Sequence, residues 1–164
     1  MKHVEIIVGV VDPSRTFSLR QRVLRPHQAL EDIARDNEIP GAVTFGASTS
    51  VDSPILATAT VYPEEPPESL SAIRTLSKTH RPWRLRAVAT EETHRSQGIG
   101  KQVLDAIIDH IAEDENAVLW CYARVTAQDF YAREGFQRFG EVFDVEMIGA
   151  HITMYRAIDR LVTD

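Results

Sequence analysis

Apolar positions recur along this chain with two different spacings. Val103, Ile107 and Ile111 form one i, i+4 row and Leu104 with Ile108 the adjacent one, while Asp105, Asp109 and Glu113 face away. That spacing predicts an amphipathic helix from Lys101 to Glu113. Short runs of β-favouring residues flank it, Trp83 to Thr90 (densest from Arg84) before and Ala117 to Arg124 after, and both read as strands. Upstream, Val4 to Val11 reads as a strand. Ser14 to Leu24 reads as a helix with Leu19 and Val23 at i, i+4, stopped by Pro26. Residues 27–40 hold a further helical turn. Val43 to Thr49 and Ile55 to Tyr62 predict a hairpin through Ser50-Val51-Asp52-Ser53-Pro54. Pro63-Glu64-Glu65-Pro66-Pro67 breaks the chain, and Ser69 to Lys78 is a short helix or an ordered loop. Thr126-x-x-Asp129 has the form of a capping box, with Asp for the favoured Glu, opening a helix near Ala127. Gly135 supplies a left-handed end to that helix, and Phe136 after it a hydrophobic closure. Residues 141–148 and 151–158 read as closing strands turned at Gly149. Strands and helices interleave without internal repeats, so the fold class is α/β (α+β).

Composition narrows the class further. The 164 residues suffice for a single domain over 1–164 with a sizeable core; 43% are hydrophobic and 26% charged, ordinary for a globular protein. No apolar run reaches membrane-spanning length. The start, Met1-Lys2-His3-Val4-Glu5-Ile6-Ile7, has Glu5 inside its apolar stretch and no small-residue cleavage site, so no leader is expected and the location expected is cytoplasmic. The net charge of −6 argues against nucleic acid as partner and mildly favours a cationic substrate such as an amine. Cys121 is the single cysteine, placed in a strand-like run where it reads as a core thiol. The six histidines show no metal-ligand spacing, so no metal is expected.

Between the strand ending at Thr90 and the helix after it lies Arg95-Ser96-Gln97-Gly98-Ile99-Gly100. A glycine-bearing turn that opens a helix leaves backbone N–H groups without intrahelical partners, at the positive end of the helix dipole. Gly98 and Gly100 have no side chains to hold a phosphate away, and Arg95 adds a permanent positive charge. The segment is neither a dinucleotide fingerprint, for the third glycine is missing, nor a Walker loop, for Gln102 follows Gly100-Lys101 and Arg occupies position 95. Two glycines alone leave two readings open, an anion site and an ordinary strand–helix turn.

The order strand, Arg-x-x-Gly-x-Gly, helix, strand and helix ending in Phe130-Tyr131-Ala132-Arg133-Glu134-Gly135-Phe136 resembles the GNAT family, the Gcn5-related N-acetyltransferases, over roughly residues 84–158. Leu19-Arg20 with Val23-Leu24-Arg25-Pro26, Leu119-Trp120-Cys121 and Gly149-Ala150-His151 resemble an uncharacterised bacterial branch of it. The resemblance implies a central twisted, mixed, mostly antiparallel sheet of six or seven strands flanked by about four helices, with two parallel strands splayed at the cofactor. It implies acetyl-CoA as cosubstrate and a primary amine of a small molecule or peptide as acceptor. By position, Val88, Ala89 and Thr90 carry the backbone that pairs with pantetheine, Val88 N–H being aimed at the thioester oxygen. Arg95, Ser96, Gln97, Gly98, Ile99, Gly100 and Lys101 hold the diphosphate. Homodimers are common in the fold, and no residue pattern decides that point here.

Tyr131 matches the family tyrosine that contacts the CoA sulfur, where a phenol is a usable acid for a departing thiolate; the other reading is a half-buried helix aromatic. His151, with a side chain suited to proton transfer near neutrality, is the candidate base; a structural histidine bonded to a backbone carbonyl is the alternative. Glu146, Asp144, Glu91 and water chains are further routes for the amine proton. Arg124 stands where many members have Asn, and either approaches the CoA phosphates or lines the acceptor side. Gly149-Ala150-His151 replaces the branch's Gly-Pro-His. The helix at 14–24 carries Arg15, Arg20, Arg22 and Arg25, read as a solvated basic face or, for Arg20, Arg22 and Arg25, as a site for an acidic acceptor. Trp83, Trp120, Phe130 and Phe136 read as core. A non-catalytic acyl-CoA sensor is the alternative to an enzyme, and a nucleotide-binding protein fails on its glycine motifs.

Overall fold

The computed structural model describes residues 4–161. Met1–His3, part of the stretch in which no leader is expected, lie outside them. Among the described residues seven strands run in the order β1-β2-β3-β4-β5-β7-β6. They are β1 (Ile7–Val10), β2 (Val43–Ser48), β3 (Ala57–Pro63), β4 (Arg81–Thr90), β5 (Ala117–Arg124), β6 (Gln137–Val145) and β7 (Gly149–Ile158). The α-helices are α1 (Phe17–Leu24), α2 (Leu30–Asp36), α3 (Ser71–Leu76), α4 (Ile99–Ile111) and α5 (Gln128–Arg133), five against the four expected. The segment left between helix and loop at 69–78 contains α3. No helix among the described residues is long and apolar enough to cross a membrane.

The chain divides into two compact units, residues 1–62 with 87–107, and 63–86 with 108–164. In the first unit β1 and β2, and β2 and β3, pair antiparallel. β2 and β3 are buried along nearly their whole length, so small and β-branched residues replace simple alternation. Thr44 and Thr60, directly opposite, share a 3.0 Å hydroxyl contact. The expected helix at 14–24 begins as a 3-10 turn over Pro13–Thr16, because Asp12 accepts from Ser14 N–H at 2.9 Å and caps the chain early. Leu19 then packs with Ile55 and Ala89, and Val23 against that cluster. In α4 all five residues of the two apolar rows are at most 8% exposed.

In the second unit β4 pairs in parallel with β5, Arg81 to Arg84 against Ala117 to Trp120. β5 pairs antiparallel with β7 along its whole length, and β7 with β6. Two expected boundaries move. β6 starts at Gln137 and the turn falls on Glu146–Ile148, so Gly149 is the first residue of β7 and not the turn itself. Pairing of Val145 with Gly149 leaves a three-residue loop, and such loops need a left-handed residue, here Met147 with φ 69°. The capping box at Thr126 does not form: Val125–Ala127 is a 3-10 turn, and α5 starts from Ala127 without a side-chain cap.

Candidate active site

β4 is interrupted before its end. Ala87 has φ 55°, a left-handed conformation that alanine rarely adopts inside a strand. Such a break re-aims the residues that follow. Ala89 is 3% exposed and sits in the core with Leu19 and Ile55, while its neighbours Val88 and Thr90 are half-buried. Glu91 N–H donates to the Leu56 carbonyl at 2.7 Å and anchors the chain as it leaves the strand.

A 3-10 turn over Glu92–His94 leads into the glycine segment. Ser96 and Gly98 are both left-handed, at φ 63° and 79°. A Cβ added to Gly98 would meet no atom within 4 Å, so the space above this backbone is open. Arg95, Ser96, Gln97 and Gly98 are exposed, and the Ile99 side chain turns inward at 3% exposure. The first intrahelical bond of α4 runs from Gln102 N–H to the Gly98 carbonyl at 3.1 Å. The amides of Ile99 and Gly100 fall in the first turn, where a helix offers no acceptor. Left-handed backbone next to unpaired amides forms the concavities that bind phosphate oxygens. Lys101 forms an i, i+4 pair with Asp105 at 2.8 Å, and Arg95 leans on the Thr90 carbonyl at 3.4 Å.

Of the four arginines between positions 15 and 25, Arg15 and Arg22 are exposed, Arg25 is half-buried and Arg20 is buried, so the basic face is solvated in part and each arginine has a partner. Arg22 grips Glu91 through two hydrogen bonds of 2.9 and 3.0 Å. The Arg22 guanidinium holds the Glu91 carboxyl below the usual range, which makes Glu91 a weaker base than its position suggests. Arg20 is 8% exposed and donates to Asn37 Oδ1 at 2.8 Å, Arg15 donates to the Ser53 carbonyl, and Arg25 to the Leu24 carbonyl.

In the second unit Tyr131 is set by the end of α5. Gly135 N–H donates to the Ala132 carbonyl at 3.1 Å and Phe136 N–H to the Tyr131 carbonyl at 3.0 Å, with Gly135 at φ 86°. This is the Schellman pattern. Its accompanying hydrophobic contact is Phe136 against Tyr131, ring centres 5.3 Å apart. Phe130 adds a second edge contact at 5.2 Å. Tyr131 is 5% exposed, and its hydroxyl makes no hydrogen bond among the described residues. Burial, then the neighbouring Cys121 thiol, push the phenol well above its ordinary pKa. Cys121 itself is pushed up to about 12 by burial, which suits a core thiol.

His151 lies opposite Arg124 of β5 and Phe143 of β6. Its Nδ1 is 2.8 Å from the Gly149 carbonyl, which only accepts, so Nδ1 carries the proton and Nε2 keeps the lone pair in the neutral ring. The ring is 7% exposed and stacked on Phe143 at 5.9 Å. Side chains alternate along β5, so Cys121 points away from the face shared by Tyr122, Arg124 and the partner of Arg124, His151. Tyr131, beside Cys121, and His151 therefore stand on opposite faces of the same strands. Arg124 is half-buried, and burial lowers its pKa. Asp144 and Glu146 are exposed, on β6 and in the turn after it.

The acetyltransferase (GNAT) domain family matches residues 55–138, about half of the chain. An uncharacterized N-acetyltransferase of Bacillus subtilis (strain 168), YitI, is 30% identical over 151 residues, covering 92% of this chain and 95% of the relative. The chain belongs to the GNAT family of N-acetyltransferases. Solved structures share the fold of this GNAT chain. An aminoglycoside 6'-N-acetyltransferase complexed with coenzyme A superposes with a TM-score of 0.70 at 12% identity, covering 96% of this chain and 99% of that one. A further N-acetyltransferase structure, from Lactobacillus plantarum, gives 0.64 at 18% identity, covering 94% and 97%.

The predicted residues Arg95 to Lys101 thus form one turn at the mouth of α4, and Tyr131 and His151 flank one set of strands. Three features of this GNAT chain carried no sequence signal. Ala87 is an alanine at a backbone break, which composition does not betray. Arg22 and Glu91 meet across 69 residues. Arg84 stacks on aromatic rings contributed by another strand.

Proposed function

We propose that this N-acetyltransferase takes its acyl group from acetyl-CoA and passes it directly to a primary amine of a small molecule or peptide. The observation that carries the reading is the turn before α4: left-handed Ser96 and Gly98, open space over Gly98, and first-turn amides at the positive end of a 13-residue helix. This donor set fits a diphosphate, with Arg95 adding charge. The CoA complex of the aminoglycoside 6'-N-acetyltransferase, a protein of the same fold, supports the same ligand class. Val88 and Thr90, past the break at Ala87, are the residues whose backbone would pair with the pantetheine amides, and Val88 N–H would polarise the acyl carbonyl.

The cosubstrate supplies a thioester, whose C–S bond breaks as the amide C–N bond forms. The chain's own residues manage the protons. His151 accepts the amine proton at Nε2, held in that tautomer by the Gly149 carbonyl. Tyr131 protonates the departing sulfur from its hydroxyl. Its burial keeps the phenol neutral until negative charge develops beside it, which is the state a general acid needs.

The test is release of CoA thiol from acetyl-CoA across a panel of primary amines. Amine-dependent release is the expected result; binding of acetyl-CoA with no amine-dependent release would oppose transfer.

A further inference from the structure

One face of β4, β5, β7 and β6 carries a row of rings with a guanidinium at its end. Trp120 meets Tyr122 edge-on at 5.6 Å, Tyr122 meets Phe143 at 5.4 Å, and Phe143 stacks on His151 at 5.9 Å. Arg84 lies over the first two rings, 5.2 Å from Trp120 and 4.9 Å from Tyr122. Its stacking is secured from Glu64, whose carbonyl accepts from Trp120 Nε1 at 3.0 Å and whose carboxylate accepts from Arg84 Nη1 at 3.0 Å.

That pairing uses only one corner of the guanidinium. Arg84 Nε is buried and has no hydrogen-bond partner, and Nη2 has none among the described residues. The side chain is 22% exposed. Nε–H and Nη2–H lie along one edge of the planar group as parallel donors, spaced to meet the two oxygens of a carboxylate. A buried donor left unmatched is costly, so this edge calls for an acceptor. Two residues on, the half-buried Arg86 occupies the same face of β4 and makes no hydrogen bond or ion pair among the described residues. Two cations here disfavour a polyamine and favour an acceptor that brings its own negative charge.

We propose that the acceptor is an amine carrying a carboxylate, such as an amino acid or an acidic peptide end, read by the Nε/Nη2 edge of Arg84 with Arg86 as a second positive charge. Its role as acceptor selection rests on the acetyl-transfer reading; the anion fork itself does not. Through Tyr122 and Phe143 the fork belongs to the same row of rings as His151, the proposed base. Arg20, Arg22 and Arg25, the sequence's first candidates for an acidic acceptor, bond to Asn37, Glu91 and the Leu24 carbonyl.

Calorimetry on the full chain, with and without coenzyme A, tests this using amino acids, their matched amides, and phosphoethanolamine as a phosphate-bearing arm. The acid is expected to bind about tenfold or more tightly than its amide, since charge-assisted bonds to a fork depend on the second oxygen's charge. Arg84→Lys keeps the charge and loses the fork, and is expected to abolish that preference. Glu64→Gln removes the competing carboxylate and leaves the Glu64 backbone contact to Trp120; it is expected to strengthen acid binding, whereas a purely structural ion pair would weaken it. Equal binding of acid and amide, tighter binding of phosphoethanolamine than of any acid, or an unchanged preference in Arg84→Lys would overturn the proposal. Acid selectivity without any binding of coenzyme A would keep the fork and remove the transferase role. Coenzyme A binding without acid selectivity would do the reverse.

Discussion

Tyr131 and His151, the proposed acid and base, are held in different ways. Tyr131 is a buried phenol with an uncommitted hydroxyl, made by the end of a short helix. His151 is a buried imidazole with one nitrogen committed to Gly149. Removing the phenol oxygen should therefore cost turnover and not binding: Tyr131→Phe is expected to lower kcat by about 10²-fold with CoA affinity kept. His151→Gln is expected to change the pH dependence of kcat/KM while leaving CoA affinity in place, read from pH profiles beside calorimetry; wild-type profiles in both variants would remove both roles. Cys121 makes a contrasting case. Its folded pKa is raised, to about 12. The stability it contributes is fully present below the ordinary thiol value and is lost as pH rises toward the folded value. Near neutral pH the native thiol is expected to resist a disulfide reagent that labels the denatured chain at once. The core thiol at Cys121 was legible because it lies in a short, strongly patterned strand. The pairing of Glu91 with Arg22 was not, because nothing local in either segment encodes a partner so far along the chain.

At the scale of elements, the accuracy of the sequence reading follows how local the cause is. α4 was legible because its two apolar rows sit within one helix and nothing else competes for them. The end of α5 was legible because Gly135 and Phe136 satisfy a backbone motif that needs only six residues. The closing hairpin was misplaced because its turn is fixed by cross-strand register, which puts Met147 in the middle of the loop at φ 69° and Gly149, itself at φ 113°, as the first residue of β7. The start of α5 near Ala127 was legible, but its cap was misassigned, because Val125 to Ala127 forms a 3-10 turn and Thr126 lies within it. Paired substitutions separate these cases. Gly135→Ala forces a Cβ into φ 86° with Arg156 Nε 3.3 Å away, and is expected to cost about 1–2 kcal/mol in denaturant unfolding. Thr126→Ala is expected to cost under about 0.5 kcal/mol, where a working cap would cost about 1. Comparable losses from both would restore the capping box.

At the scale of the whole molecule, family membership settles the reaction class, and the residue roles proposed above follow from the geometry of the turn before α4 and of the strands around Tyr131 and His151. The central claim is that the turn at Ser96 to Gly100 grips the diphosphate of coenzyme A. The most direct measurement compares coenzyme A with pantetheine, which keeps the thiol arm and lacks the diphosphate and the adenosine 3'-phosphate beyond it, and with adenosine 3'-phosphate as the control for that end, by calorimetric titration of the wild-type chain. Coenzyme A is expected to saturate one site and pantetheine to bind about a hundredfold or more weakly, the loss of two charge-assisted hydrogen bonds. Equal affinity for the two, or no saturable binding of coenzyme A up to millimolar concentration, would contradict it.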